Sequence, residues 1–256
     1  MSDAEPQPDF AHAHVGIVHA TAMEVNPFLE RCERVRKYTG GDLVFRGGLL
    51  GDIRVALAQS GMGPKAARLA TQALIDGHSP AWIVSAGFSG ALQSGMKIGD
   101  IVVGDSIVDV EGTQVSIDLK MPANPAAGLH VGRLLTVDRM VRTIAEKQEL
   151  AQQHAAIAVD MESLAVAQVC REAKTKFLAV RVISDDLSVD LPKEILSVVG
   201  TAGTARWGAV AGAIFKRLGS VQDLWRLREQ AQGAAERLAT FLDGVVVQLH
   251  GAEAPS

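Results

Sequence analysis

Several acidic residues follow apolar stretches of the sequence, where a carboxyl group could take part in acid–base chemistry. These residues are Glu24, Asp160, Glu162, Asp185 and Asp186. Ligands of open α/β sheets bind beyond the carboxyl ends of the strands, and a carboxyl group placed there can donate or accept a proton. Each residue also has an ordinary explanation as a solvated carboxylate, a helix-dipole partner or a turn cap. Taken singly, the five residues leave both interpretations open.

Short apolar runs predict the strands that would position these carboxyl groups. The runs cover residues 15–20, 43–49, 53–58, 82–85, 99–105, 156–159 and 177–183. Gly51 and Asp52 supply turn chemistry between the second and third runs, which therefore predict a hairpin. Residues 110–130 contain prolines and glycines and predict a loop, and residues 134–141 are ambiguous between strand and turn.

Apolar residues at helical spacing predict the helices. One helix begins at Pro64, which suits the first helical position because it has no N–H to lose there. A second covers residues 161–173, and residues 204–248 predict two or three amphipathic helices with a break near Gly219. Residues 86–90 come directly after a predicted strand, and we expect them to form a ligand-binding loop.

The alternation of strands and helices predicts an α/β fold with a largely parallel, mixed central sheet flanked by helices. We expect a polar arm over residues 1–14 and one main domain over residues 15–203. Residues 204–256 are expected to form a helical extension packed on the same domain.

Composition excludes several classes of function. The formal charge is −4 and the pI is near 6.0, which argues against a nucleic-acid partner because no basic face is available for phosphates. The first 14 residues do not resemble an export signal, and no apolar run is long enough to span a bilayer. The two cysteines, Cys32 and Cys170, predict neither a disulfide framework nor a metal site. We therefore expect a cytoplasmic protein without a metal.

In their order along the chain, the segments that carry these residues are more informative than any of them alone. Residues 158–170 (AVDMESLAVAQVC) and 177–185 (FLAVRVISD), with Glu24 and the glycines near residues 60 and 87 upstream, resemble the purine and uridine phosphorylase superfamily. The 5'-methylthioadenosine/S-adenosylhomocysteine nucleosidases are the branch that the sequence resembles most. The resemblance covers residues 15 to 190 and implies a nucleoside phosphorylase-like fold that binds a purine nucleoside.

The resemblance also implies a role for each acidic residue. When the N-glycosidic bond breaks, the purine must be protonated at N7, and Asp185 takes the place of that acid, with Asp186 as its competitor. Burial against apolar residues is the usual way to keep a carboxyl group protonated. Glu162 is expected to accept hydrogen bonds from the ribose hydroxyls, and Glu24 to orient or deprotonate the attacking water.

Further substrate contacts follow from the same matching. They are assigned to Met161, Gly90, Val141, Met140, Met62 and Ser184. Met161 is expected to pack against the sugar, and Val141 to offer backbone hydrogen bonds to the base with Met140 beside it. Gly90 would leave room for the substrate, and Met62 would line the pocket. His19, His130 and His154 have no ligand spacing and are interpreted as structural or surface residues.

Two departures from the family pattern bear on the nucleophile. Phosphorylases of the hexameric type carry an arginine where this chain has Ser85, and its loss favours water over phosphate, because phosphate needs a cationic partner. Arg46, Arg54 and Arg139 are possible substitutes or simply solvated arginines. Phe88 takes the place of a small or hydroxyl residue, and the hydroxyl group comes one residue later.

The C-terminal part resembles phosphorylase-like proteins of hopanoid biosynthesis. Its apolar residues could form core or dimer contacts, or they could admit a lipid-like 5' substituent; they are Trp207, Ile214, Phe215, Leu218, Leu224, Trp225 and Leu227. The leading prediction is hydrolysis of a 5'-substituted adenosine without a cofactor. The alternatives are phosphorolysis, with phosphate as co-substrate and adenosylhopane as a possible substrate, and an inactive nucleoside-binding module. The resemblance implies a homodimer, and contact with a membrane only if the substrate is a lipid.

Overall fold

The computed structural model of the chain describes residues 12–118, 120–191 and 221–252, and it describes side chains in the last range from Glu229 onward. Within these ranges ten strands form one sheet. They are β1 (Val15–His19), β2 (Glu33–Gly40), β3 (Leu43–Leu50), β4 (Ile53–Gln59), β5 (Trp82–Ala91), β6 (Ile101–Asp109), β7 (Gln114–Ser116), β8 (Leu129–Thr136), β9 (Ala158–Asp160) and β10 (Lys176–Asp185).

Helices flank the sheet, so the predicted α/β fold with a mixed sheet is confirmed. The described helices are α1 (Ala22–Leu29), α2 (Pro64–His78), α3 (Ile144–His154), α4 (Ser163–Ala173) and α5 (Val221–Gly251), with a short 3-10 helix at Pro125–Ala127. Helix α2 begins at Pro64, as the sequence predicts. Strands β3 and β4 form the predicted antiparallel hairpin.

Strand β5 organises the sheet. It pairs in parallel with β1 on one side and with β10 on the other, and its last residues pair antiparallel with β9. Strands β10, β6, β8 and β9 continue from one neighbour to the next, so these four strands and β5 close a ring. Near the end of β5, Gly90 pairs with both Val159 and Asp185. Closure of the ring therefore brings the ends of β9 and β10 to the two sides of Gly90.

Some predicted boundaries are wrong. Residues 86–90, expected to form a loop, continue β5 as far as Ala91, because β10 pairs with all of them and β9 pairs with Gly90 as well. Residues 110–130 are not only loop, since they contain β7, the 3-10 helix and the start of β8. Residues 134–141 combine both alternatives: strand as far as Thr136 and a turn after it. Strand β2 and helices α1 and α3 were not predicted.

The C-terminal helix α5 packs on the body of the fold. Its buried residues Leu238, Leu242 and Val246 join the same apolar cluster as β1, β5 and β10, and Arg31 after α1 contacts Asp243 at 2.7 Å. The described part of the extension is one helix of 31 residues. The expected break near Gly219 and most of the expected apolar stripe lie outside the described residues, and the side chains of its remaining members are likewise not described. In the described part of the chain, no helix is both long and apolar enough to cross a membrane.

Candidate active site

Glu24 is held in place by two backbone N–H groups. It is the third residue of α1, and its Oε2 accepts a hydrogen bond at 2.6 Å from the N–H of Thr21, which precedes the helix. Its Oε1 accepts a second bond at 3.1 Å from the N–H of Phe88 in β5. Burial raises the pKa of Glu24, although these hydrogen bonds and the charge of Arg181 oppose the change. A fixed carboxylate with a raised pKa is suited to accept a proton.

Arg181 is the buried cation of the site, and the sequence interpretation missed its role. Its Nε donates to Asp160 Oδ2 at 2.8 Å, and its Nη2 donates to Ser85 Oγ at 2.8 Å and Ser163 Oγ at 2.9 Å. The signal was present in the sequence, since a charged residue inside the apolar run FLAVRVI must find a partner when the strand is buried. Arg181 therefore places a guanidinium group beside Ser85, where the sequence lacks an arginine.

Asp160 is a structural partner of this arginine. Its Oδ1 accepts hydrogen bonds from Thr136 Oγ1 at 2.8 Å and from the N–H of Ser163 at 3.2 Å. Burial opposes its ionisation, but the charge of Arg181 and the hydrogen bonds outweigh burial and hold the pKa of Asp160 below its usual value. Asp160 is therefore ionised, caps the start of α4 and orients Arg181.

Glu162 lies at the start of α4 and contacts the glycine turn before α2. Its Oε1 accepts a hydrogen bond at 2.7 Å from the N–H of Gly63. Burial is the main reason that the pKa of Glu162 rises to about 7; the charge of Arg181 opposes the rise, and the charges of Asp160 and Glu24 add to it. Glu162 can therefore change its protonation state near neutral pH.

Gly87 keeps open the gap between Glu24 and Arg181. A Cβ atom on Gly87 would lie 2.8 Å from Arg181 Nη1 and 2.8 Å from Glu24 Oε1. Both distances are shorter than normal contacts of a Cβ atom, so any side chain here would displace one of the two groups. The absence of a side chain therefore lets a carboxylate and a guanidinium both lie beside the same point of β5, where a small nucleophile could contact both.

His19 lies closer to the chemistry than predicted. Its side chain is buried at the end of β1 and lines a cleft with Ser60, Ser85, Glu162 and Arg181. Burial lowers the pKa of His19 to about 4, so the ring is neutral at pH 7. Nδ1 lies 2.9 Å from the carbonyl oxygen of Thr21 and must donate to it. Nε2 is thus an acceptor, and no group in the described residues donates to it.

Asp185 has polar neighbours that the sequence did not indicate. Lys147 Nζ in α3 lies 2.5 Å from Asp185 Oδ2, and Ser184 Oγ donates to Asp185 Oδ1 at 2.8 Å. Lys147 was missed because α3, which carries it, was not predicted. The role of Asp185 as the acid stays a prediction. Asp186, the competing acid, instead accepts hydrogen bonds from the N–H and hydroxyl of Ser188 in a local turn.

The remaining predicted residues lie around this site in different ways. Gly90 packs against the acid, because a Cβ atom there would lie 3.0 Å from Asp185 Oδ2. The Val141 side chain is buried in an apolar cluster with Leu135 and Val159, which leaves only its backbone for a ligand. The methionines Met62, Met140 and Met161 are half-buried. Their contacts with a substrate stay predictions.

Two of the proposed substitutes for a phosphate-binding arginine have partners of their own. Arg139 is paired with Glu146, and Arg46 Nη1 contacts Gln59 Oε1 at 3.4 Å. Arg46 is near enough to His19 to contribute to the lowered pKa of that ring. In the ranges that the structure covers, no group of three His, Cys, Asp or Glu side chains could hold a metal ion.

Comparison with known proteins identifies the family of the chain. The phosphorylase superfamily matches residues 14–125 and 123–214 of the chain. A 5'-methylthioadenosine/S-adenosylhomocysteine nucleosidase of Haemophilus influenzae (strain PittGG) is 32% identical over 199 residues, which are 67% of this chain and 85% of that protein. The corresponding Colwellia psychrerythraea nucleosidase is 29% identical over 217 residues, 73% of this chain and 89% of that protein.

Solved structures show the same fold. A C. psychrerythraea 5'-methylthioadenosine/S-adenosylhomocysteine nucleosidase in complex with adenine superposes with a TM-score of 0.67 at 22% identity, covering 94% of this chain and 97% of that one. The fold, the order of the acidic segments and the family match all agree. The chain therefore belongs to the phosphorylase superfamily.

Proposed function

We propose that the chain hydrolyses the N-glycosidic bond of a 5'-substituted adenosine, of the methylthioadenosine or S-adenosylhomocysteine type, and releases adenine. The observation that carries the proposal is that Glu24 and Arg181 both lie beside Gly87 while Glu162 lies within electrostatic range of both. The names of the relatives point to the same substrate class.

The reaction assigns one task to each group. As the bond from C1' to N9 breaks, its electron pair moves into the purine, Asp185 delivers a proton to N7, and positive charge develops on the ribose. Glu162 accepts hydrogen bonds from the ribose hydroxyls, which holds the sugar. Glu24 takes a proton from the attacking water, whose oxygen forms the new bond to C1'. The products are adenine and the 5'-substituted ribose.

The charges around the nucleophile favour water over phosphate. Arg181 is already paired with Asp160, and the carboxyl groups of Glu24 and Glu162 lie within electrostatic range of it. A phosphate dianion beside these groups would be repelled, because one guanidinium cannot neutralise the carboxylates and the phosphate together. A water molecule is neutral, so the carboxylates do not repel it.

Product analysis tests the reaction. Methylthioadenosine, S-adenosylhomocysteine, adenosine and inosine are incubated with the protein, with and without phosphate. Free ribose products that do not depend on phosphate support hydrolysis. Ribose 1-phosphate products would overturn it in favour of phosphorolysis, with an adenosylated lipid such as adenosylhopane as the next substrate to test. Tight binding without turnover of any substrate would leave only a nucleoside-binding module.

A pair of neighbouring variants tests the acid. Asp185→Asn should lower kcat/KM for adenine release by about 10²- to 10⁴-fold, the usual contribution of a general acid. Asp186→Asn changes a neighbouring carboxylate that serves a local turn, and it should have little effect. An Asp185→Asn protein with normal turnover would remove Asp185 from the mechanism.

We also propose that the chain acts as a homodimer in the cytoplasm. The family resemblance supports the dimer, and the free thiols of Cys32 and Cys170 fit a reducing compartment. Light scattering on the purified protein measures the oligomeric state, and a monomeric mass would contradict the proposal. Membrane binding is expected only if the substrate proves to be a lipid, and vesicle flotation would detect it.

A further inference from the structure

Lys147 is fully buried and has every proton of its ammonium group directed at an acceptor. Its side chain projects from α3, and the residue has no exposed surface. Nζ lies 2.5 Å from Asp185 Oδ2, 3.0 Å from the carbonyl oxygen of Asp186 and 3.4 Å from that of Asp185. An ammonium group has three donors, so the end of β10 uses all of them. All three hydrogen bonds of the Lys147 ammonium group therefore go to Asp185 and Asp186.

This contact decides how Asp185 can act as an acid. The ammonium group donates a hydrogen bond to Asp185 Oδ2 at 2.5 Å. Ser184 Oγ also donates to the second oxygen, Oδ1, at 2.8 Å, so both oxygens accept hydrogen bonds, as in a carboxylate. An ionised Asp185 has no proton of its own for the departing purine.

Two side chains of the described residues donate to the Asp185 carboxyl group, Lys147 and Ser184. A serine hydroxyl is a much weaker acid than an ammonium group, so the more acidic of the two protons is on Lys147 Nζ. We propose that Lys147 supplies the proton that Asp185 passes to N7, so that the two residues work as one proton-delivering pair. This inference rests on the proposed function, because it assumes that a purine leaves at this site.

The transfer balances without a further reactant. The bond from Nζ to hydrogen breaks as a proton moves to Asp185 Oδ2, and a proton leaves the carboxyl group for N7 as the bond from C1' to N9 breaks. At the end Lys147 is a neutral amine, Asp185 is again a carboxylate and the purine is neutral. Water reprotonates Lys147 after the products leave.

Gly90 makes room for the pair because it contributes no side chain. A Cβ atom there would lie 3.0 Å from Asp185 Oδ2 and 3.4 Å from Lys147 Cε. The glycine lets the pair lie against β5, and a larger residue would push the two groups apart.

A substrate whose base already carries a positive charge distinguishes two effects of a Lys147 variant, loss of proton supply and damage to the fold. Only the first effect depends on the substrate. Methylthioadenosine requires protonation at N7, whereas its N7-methylated derivative already carries the positive charge. Lys147→Met should lower kcat/KM by about 10²-fold or more for methylthioadenosine and by only a few-fold for the methylated substrate. Lys147→Arg keeps a positive charge but cannot release a proton at neutral pH, so it should show the same selective loss.

Two further variants complete the experiment. Lys65→Met changes an exposed lysine of α2 and should behave as the native chain with both substrates. Asp185→Asn should show the same selective loss as Lys147→Met, because both interrupt one transfer.

Each contrary outcome has a definite meaning. Equal losses with both substrates in Lys147→Met would assign the lysine a structural role only and overturn the inference. Unchanged or raised activity of Lys147→Met or Lys147→Arg with methylthioadenosine would overturn it too. If Asp185→Asn is impaired and Lys147→Met is not, only the inference fails. If Asp185→Asn is normal, the proposed acid fails as well.

Discussion

Arg181 Nε lies 2.8 Å from Asp160 Oδ2, and both side chains are buried beneath the candidate site. The two residues are 21 positions apart in the sequence. Arg181 Nη2 donates to Ser85 and Ser163, so the guanidinium joins β5, α4 and β10. The pair fixes the positions of the strand ends from which the acidic groups of the site project.

Replacement of Arg181 by methionine should destabilise the fold strongly. Loss of one partner of a buried ion pair typically costs about 3–5 kcal/mol, because the other charge stays buried. Urea unfolding at pH 7 measures this loss. As a control, Glu172→Gln breaks an exposed pair with Arg68 and should leave the free energy of unfolding nearly unchanged. The lowered pKa of Asp160 means that the pairing stabilises the fold above pH 3.8 and is lost as the pH falls further. A deficit that did not shrink in acid would contradict this account.

The sequence predicted that the segments with Glu24, Glu162 and Asp185 come together. It did not predict which side chains these residues contact. The order of Glu24, Glu162 and Asp185 after apolar runs, together with the family resemblance, was enough to predict the fold and the acidic groups. The partner of Asp185 was missed because Lys147 lies in a segment with little apolar periodicity. Residues 86–90 were predicted to form a loop because ligand-binding loops follow the strands of open α/β sheets, yet pairing with β10 continues the strand through them. Long-range pairing of this kind is absent from local patterns.

Glu162→Gln should remove a pH dependence of substrate binding. With a pKa of about 7, Glu162 is ionised above that pH, and under the proposed function both of its oxygens are then available to the ribose hydroxyls. Below pH 7 it gains a proton and loses acceptor capacity, so KM of the native chain should rise as the pH falls from 8 to 6. The variant should have a KM that is about tenfold higher or more and does not change with pH. Steady-state kinetics across this range, with the exposed Glu149→Gln as control, provide the measurement. Persistence of the native pH dependence in Glu162→Gln would assign it to another group.

His19→Asn should reduce the acid sensitivity of the fold. The pKa of His19 falls from 6.5 to about 4 on folding because the ring is buried. Between these values the unfolded chain binds the proton and the folded chain does not, so stability is complete above about pH 6.5 and declines as the pH falls towards 4. Between pH 7 and pH 5 the loss due to this residue is about 2 kcal/mol.

Asparagine can still donate to the carbonyl of Thr21 and does not titrate, which makes it the informative substitute for His19. Urea unfolding at pH 7 and pH 5 should show a smaller difference for His19→Asn than for the native chain. His154→Asn, which changes a half-buried histidine in the last turn of α3, should keep the native difference. Equal pH sensitivity of His19→Asn and the native chain would show that His19 is not the residue responsible.

Gly87→Ala should impair turnover more than stability. The added methyl group would lie 2.8 Å from Arg181 Nη1 and from Glu24 Oε1, so one of these groups must move out of position. A misplacement of about 1 Å at a reacting centre can cost on the order of 10²-fold in rate. Gly77→Ala in α2 is the matched control, because nothing lies within 4 Å of its added Cβ and alanine favours the helix. Native kcat in a folded Gly87→Ala protein would exclude the gap as the site of the nucleophile.

Leu238→Ala in α5 should destabilise the whole fold and not only its C-terminal part. Leu238 is fully buried in the cluster that includes β1, β5 and β10, and loss of such a side chain costs about 2–5 kcal/mol. If α5 belongs to the same cooperative unit, unfolding stays a single transition with a lower midpoint. This holds whether unfolding is followed by far-ultraviolet circular dichroism or by hydrogen exchange in β5.

Val247→Ala removes an exposed side chain of the same helix and should change the free energy of unfolding by less than about 0.5 kcal/mol. An unchanged midpoint for β5 in Leu238→Ala would mean that the C-terminal extension unfolds separately from the domain.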